Sequence, residues 1–210
     1  IMRGMTEVAN TYVAPDIAGY DAERSIELAY DPAQARALLA EAGYPDGFQL
    51  AFDCVQGAYL NAEQWCQAVQ RYWSKIGIES NLSMHSRSVY SQIRDNGRTD
   101  VAVLGWANLP LVDAYSINQQ LLHSKDGGIY GAFNIPRYHN DTVDGLIEQS
   151  VFELDQPTRI QLMSDALALA QQELPYIPLH FEPVAWVTSS QLTITQNSDN
   201  VVRLWYARMN

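Results

Sequence analysis

Basic residues are scarce in this sequence: 13 Lys and Arg stand against 24 Asp and Glu in 210 residues, a formal net charge of −11. Such a chain has no positive stripe for nucleic acid and is repelled by anionic lipid, so nucleic acid is excluded as a partner. Long apolar runs are lacking too. Although 47% of the residues are hydrophobic, no run approaches the ~20 residues that cross a bilayer, and direct membrane insertion is not expected. There are only two cysteines, Cys54 and Cys66, too few for a disulfide scaffold or a zinc site. Both read as buried thiols: Cys66 shares an apolar stripe with Val69 and Trp73, and Cys54 ends a strand.

The motifs of common enzyme classes are also missing. There is no G-x-S-x-G, P-loop, G-x-G-x-x-G or H-E-x-x-H. His85, His123, His139 and His180 are widely scattered, as surface or internally satisfied histidines are, and no cofactor or metal is implied. No two carboxylates pair by spacing for acid–base work. Internal repeats and low-complexity stretches are absent.

What is present begins with Y-D-P-A-Q-A-R-A-L-L-A-E-A-G-Y-P-D-G-F at positions 30–48. Asp31 caps a helix, Pro32 suits its first turn, Gln34 completes a capping box, and Gly43 stops it. Ala35, Leu38, Leu39 and Ala42 make an apolar stripe, and Y-P-D-G turns the chain into a strand at 48–54. Asn61 then caps a helix over 61–76, residues 78–84 alternate as a strand, Ser86 starts a short helix, and 100–105 reads as a strand buried on both faces. This β-α-β-α-β order builds a parallel or mixed sheet, whose ligands sit beyond the carboxyl ends of the strands. Two helices follow, starting at Asn140 and at Asp155 or nearby Thr158, with Val143, Leu146, Ile147, Val151, Leu154 and then Ile160, Met163, Leu167, Ala170 as their apolar positions. Residues 176–181, 186–187 with 192–195, and 201–205 are strand candidates.

The block at 30–48, K-I-G-I-E-S at 75–80, G-W at 105–106, D-A-Y-S at 113–116 and L-P-Y-I-P-L at 174–179 together resemble the family 5 extracellular solute-binding proteins. These are the peptide, nickel and oligopeptide receptors of ABC importers, and the resemblance covers essentially the whole chain. It implies an α/β fold, the C-terminal lobe of a periplasmic-binding-protein type II architecture, with a mixed, mostly parallel sheet flanked by helices. The expected division is an extended approach or hinge segment without a core of its own (1–29), the α/β lobe (30–182) and a β-rich segment (183–210) that returns to a missing N-terminal lobe. The implied partners are a small-molecule or peptide solute, that missing lobe, and ABC permease subunits. The implied location is periplasmic, or extracellular with a lipid anchor. Export would also permit a Cys54–Cys66 bond.

Candidate ligand-binding residues lie on the strand-end loops. Trp106 offers a stacking wall, or anchors the core; Asn108 and the Pro110 loop lie beside it. Asp113 is a ligand contact, or the N-cap of a helix over 114–122. Gln56, Gly57 and Tyr59 form a second group, with Tyr59 alternatively a hydrophobic staple. Tyr130 and Asn134 stand on the loop 127–134, which shapes the cleft or is pinned by its own aromatics. In the dipeptide branch of the family an acidic residue after G-W and an arginine before the second helix clamp the two ends of the ligand. Here Leu109 and Gly57 fall at those positions, which favours longer or blocked peptides, or sugar-containing solutes, unless the different loop length shifts Asp113 into place for the amine contact. The rival readings are a hydrolase or transferase with its active site in the same loops, which requires Ser, His and carboxylate in one pocket, and an interaction module that keeps the fold without transport.

Overall fold

The computed structural model describes residues 1–26, 28–108, 111–197 and 199–210. Their contacts gather into two compact units, Ile1–Thr6 with Glu27–Gly105 and Glu7–Ile26 with Trp106–Asn210.

In the first unit, α1 (Pro32–Glu41) starts where Asp31 Oδ1 accepts from the N–H groups of Ala33 and Gln34, both at 2.9 Å. Its apolar stripe does not become a buried face: no α1 residue is buried, and Leu38 is 56% exposed. A polar contact holds the helix instead, Arg36 Nη1 donating to Lys75 O. Strand β1 (Phe48–Val55) is the centre of a parallel sheet. It pairs with β2 (Ile78–His85) from Phe48↔Ile78 to Val55↔His85, and with β3 (Val101–Ala102) at Phe52 and Asp53.

The start of this register is set by two glycines. A Cβ on Gly47 would lie 1.9 Å from Gly77 O, and both residues have positive φ, 77° and 90°. The Y-P-D-G and K-I-G turns therefore meet backbone to backbone.

Helices α2 (Ala62–Ser74) and α3 (Arg87–Asp95) are the two crossovers. In the order β2-β1-β3 the connections run in opposite directions, so right-handed crossovers put α2 and α3 on opposite faces of the sheet. Phe52 packs on Trp73 at 5.0 Å between ring centroids, and Cys54 is bonded to Cys66. The cysteines are thus not the separate thiols their apolar settings suggested; sheet packing brings the strand end onto the first turns of α2. By chain-entropy reasoning, closing so short a loop stabilises the fold by about 3 kcal/mol.

Asn61 precedes α2 but does not cap it with its side chain. Its backbone is left-handed (φ 54°), not the extended conformation from which a cap oxygen reaches the first N–H groups, and its Nδ2 donates to Ile1 O. Strand β3 is shorter than the expected 100–105 because side chains serve the backbone groups around it. Asp100 Oδ2 accepts from Ala51 N at 2.7 Å, and Thr99 Oγ1 donates to Val101 O at 2.8 Å. The Tyr90 hydroxyl both donates to and accepts from the Val103 backbone.

In the second unit, the early segment is laced onto later elements. Ala9, Val13 and Ile17 are buried, Tyr12 N–H donates to Gln171 Oε1, and Ala9 N–H donates to Leu179 O. This stretch, read as coreless in the sequence, therefore contributes core residues. The short helix α4 (Tyr115–Ile117) runs into a π-helical turn at Asn118–Leu122, where Asn118 Nδ2 donates to Met163 O.

Helices α5 (Asp141–Phe152) and α6 (Gln156–Glu173) carry the expected Asn140 and Asp155 caps. They bury Val143, Ile147, Met163, Leu167 and Ala170. Leu154, assigned to the stripe of α5, instead lies past its end and is 96% exposed. The stretch 176–181 forms no ladder; a single bridge joins Val8 and His180. Pro178 supplies no N–H and so interrupts a strand there. The last segment contributes only the two-residue pair β4 (Leu192–Thr193) and β5 (Arg208–Met209) among the described residues. Val201–Trp205 is not a strand, and Val187 and Trp205 are 98% and 75% exposed.

Candidate ligand-binding site

In the first unit the carboxyl ends of the parallel strands carry one of the two expected groups. Gln56 and Gly57 are exposed directly after β1, with Gln56 N–H donating to His85 O at 2.8 Å and Gly57 N–H to Glu63 Oε1 at 3.3 Å. Gly57 has φ 65°, so the loop turns sharply away from the sheet. Tyr59 is half-buried. Its hydroxyl accepts from Gly105 N–H at 2.8 Å, and a Cβ on Gly105 would stand 2.5 Å from its ring. The glycine of the G-W pair is thereby explained: only a residue without Cβ lets Tyr59 tie the loop after β1 to the segment after β3.

Sequence reading missed a further pair at this strand end. Asp53, 8% exposed, faces His85, whose Nε2 lies 2.5 Å from Asp53 Oδ1. The signal for it was an aspartate inside the apolar run F-D-C-V, because a carboxylate in a buried strand needs a partner.

In the second unit Trp106 is half-buried, donates from Nε1 to Ser116 Oγ at 3.0 Å, and meets Phe133 edge-on at 5.2 Å. Asn134 is fully buried; its Nδ2 donates to His123 O and Tyr138 O, and its Oδ1 accepts from Tyr138 N–H. Tyr130 stacks on His123 at 4.1 Å. Burial, with the Glu148 and Asp126 charges, raises its phenol above the ordinary range. Trp106, Phe133 and Asn134 thus adjoin, with Tyr130 and Asn134 joined through His123.

Asp113 stands apart from them. It is 6% exposed, its Oδ2 is paired with Arg159 at 2.9 Å, and its Oδ1 accepts from Tyr115 N–H. Both oxygens are committed within the protein. Asn108 is half-buried, and its Oδ1 has no partner among the described residues. Leu109, placed from the family pattern, and Pro110, named for the loop beside Trp106, lie outside the described residues.

Among the described residues no group of three or more His, Cys, Asp and Glu side chains is placed to hold a metal ion. One Ser-His-carboxylate set, the kind the hydrolase reading requires, does assemble. Ser124 Oγ lies 2.6 Å from His139 Nδ1, and His139 Nε2 lies 3.4 Å from Asp141 Oδ1. The imidazole is 66% exposed and the carboxylate 94% exposed. Water screens such a pair, so it lacks the dry, fixed field that activates a serine.

Comparison with solved structures places the fold. HbpA2 from Haemophilus parasuis superposes on 99% of this chain with a TM-score of 0.81 at 22% identity, the chain covering 41% of it. A dipeptide binding protein from Pseudoalteromonas in complex with Met-Leu gives 0.76 at 22% identity over 100% of this chain and 41% of that one. The architecture is that of the type II periplasmic binding proteins.

Residues 1–128 match the family described as bacterial extracellular solute-binding proteins, family 5 Middle, and the chain belongs to that family. Heme-binding protein A of Haemophilus influenzae is 26% identical over 182 residues, 85% of this chain and 32% of its own length. The glutathione-binding protein GsiB of Shigella flexneri is 27% identical over 195 residues, 90% and 37% respectively. The chain therefore spans about a third of the length of the curated relatives it matches.

Proposed function

We propose that this chain is part of the substrate-binding subunit of an ABC importer and that it grips a peptide or peptide-like solute at the strand ends of its parallel sheet. Family membership over residues 1–128 carries the reading. It is supported by the exposed loop Gln56–Gly57, held at the carboxyl ends of three parallel strands where ligands of such sheets sit. Relatives named as glutathione-binding and di/tripeptide-binding proteins favour peptide chemistry, as does an ABC transporter-associated homologue from Helicobacter pylori solved with the peptide STSA.

In this reading Gln56, Gly57 and Tyr59 offer ligand contacts in the first unit and Trp106, Asn108 and Tyr130 in the second, while Asn134 pins the loop that carries Tyr130. Asp113 acts through its pair with Arg159 rather than by touching solute. The partner lobe covers the ligand on closure, and the closed form docks on the permease outside the cytoplasmic membrane. Binding, not catalysis, is the role.

The test is mass spectrometry of solute retained by the full-length receptor after gentle purification. A peptide or peptide-like molecule, present in stoichiometric amount and displaced by competing peptide, is the expected outcome. Retention of a chemically unrelated solute, undisplaced by peptides, would overturn the choice of ligand class.

A further inference from the structure

The Asp53–His85 pair has a feature that a purely internal pin does not need. A carboxylate accepts hydrogen bonds and cannot donate them, so at 2.5 Å the Nε2 of His85 carries the proton of this contact. A neutral imidazole has one N–H, and the second nitrogen is then a lone-pair acceptor. That nitrogen, Nδ1, has no partner among the described residues, and the His85 side chain is 23% exposed. The pair is therefore an oriented acceptor, backed by the charge of a nearly buried carboxylate.

Its surroundings leave that charge in place. Among the described residues no Lys or Arg pairs with Asp53. Tyr90, close enough for the Asp53 charge to help raise its phenol, has its hydroxyl committed to the Val103 backbone. Arg94, over the Tyr90 ring, is paired with Asp95. In the sheet register Asp53 lies opposite Ser83 and His85 opposite Val55. The two side chains thus share one sheet face at the carboxyl end of the strands. The Gln56 N–H bond to His85 O ties the exposed loop to the same place.

We propose that Asp53 and His85 form a contact for an amino group of the bound solute: His85 Nδ1 accepts from the ligand N–H, and the Asp53 carboxylate behind it favours a cationic amine. This rests on the receptor function proposed for the chain and selects, within it, solutes that carry a free amine. His85 is the residue that touches ligand, and Asp53 positions it.

The test is nuclear magnetic resonance of the 210-residue chain, following the His85 ring nitrogens and the Gln56 and Gly57 amides. Two probes isolate the ends of a peptide: L-alaninamide, an amine without carboxylate, and N-acetyl-L-alanine, a carboxylate without amine. A tripeptide serves as a third. Alaninamide is expected to shift His85 Nδ1 saturably, and N-acetylalanine is not. Asp53→Asn removes the carboxylate charge behind the ring, and is expected to weaken the alaninamide response roughly tenfold, the loss of one charge-assisted hydrogen bond. Should that variant misfold, His85→Gln with the Gln56 and Gly57 amides as readout is expected to lose the response equally. A tripeptide that shifts the loop amides while His85 stays silent overturns the dyad assignment and leaves the receptor function standing. A shift of the ring by N-acetylalanine alone overturns the dyad assignment in the same way. Silence of every residue toward every probe overturns the dyad assignment, while the receptor function stands or falls by the solute retained on the full-length receptor.

Discussion

Tyr90 closes the backbone just past β3 with a single atom. Its hydroxyl donates to Val103 O at 2.5 Å and accepts from Val103 N–H at 2.6 Å, so one phenol replaces both bonds of a missing neighbouring strand. Both groups are buried, and burial drives the phenol well above its ordinary range. Tyr90→Phe keeps the ring but leaves a buried N–H and a buried C=O unpaired, at a cost of about 2 kcal/mol. The expected result in a urea melt is a lower midpoint with an unchanged slope; an unaltered midpoint would show that water already serves Val103. Asp53 and His85 show the limit of residue-level reading. They stand 32 residues apart in sequence, and only the parallel register makes them neighbours. The alternatives open for Trp106, Tyr59 and Asn134 were undecided for the same reason: a side chain's partner across a fold has no local signature. Asn134 proves to be fully buried and bonded to backbone, the pinned-loop alternative for its segment.

The elements that were legible are those with locally encoded ends. Asp31 with Pro32, Asn140 and Asp155 each mark a helix start that the structure retains, because a cap is an interaction within three residues. Strand β3 and the 176–181 stretch were not legible: Tyr90, Thr99 and Pro178 decide their extent, not the apolar run itself. Asp155 permits a pH test. Thr158, through its hydroxyl and its N–H, holds the Asp155 carboxyl below its ordinary range. A depressed folded value means that the cap's contribution is full above the unfolded value of about 3.9 and is lost as pH falls through the folded one. Protection of the Thr158 and Arg159 amides, taken against their intrinsic exchange rates at each pH, is expected to fall on acidification in the wild type. In Asp155→Asn this acid-dependent component should be much smaller. The glycine contact at the sheet's start is a sharper test. Gly47→Ala puts a Cβ onto Gly77 O at a backbone with φ 77°, so β1 and β2 must part or the turn must deform. The expected loss is about 2 kcal/mol or more, with the largest gain in amide exchange at Phe48 and Ile78.

For the molecule as a whole, nothing in the sequence hints that residues 7–26 join a unit built from the second half of the chain. The Tyr12–Gln171 bond spans 159 positions, and no periodicity in the early segment announces it. The family landmarks were legible because they are turns and caps, yet the G-W pair coincides with a unit boundary, Gly105 closing one unit and Trp106 opening the other. The candidate residues are divided in the same way: Gln56, Gly57 and Tyr59 belong to the first unit, and Trp106, Asn108, Asp113, Tyr130 and Asn134 to the second. Small-ligand sites bury roughly 70–90% of the ligand surface, whereas this chain supplies about a third of the length of its relatives. In the proposed receptor the remaining wall comes from the partner lobe, so affinity should rise steeply with chain length while the contacts described here stay the same. Calorimetric titration of the 210-residue chain with a tripeptide is expected to give weak or undetectable heat, and the full-length receptor to bind at least about a hundredfold tighter, nearly 3 kcal/mol. Equal, tight binding by both would mean that this chain encloses its ligand unaided, and the two-lobed mechanism would fail.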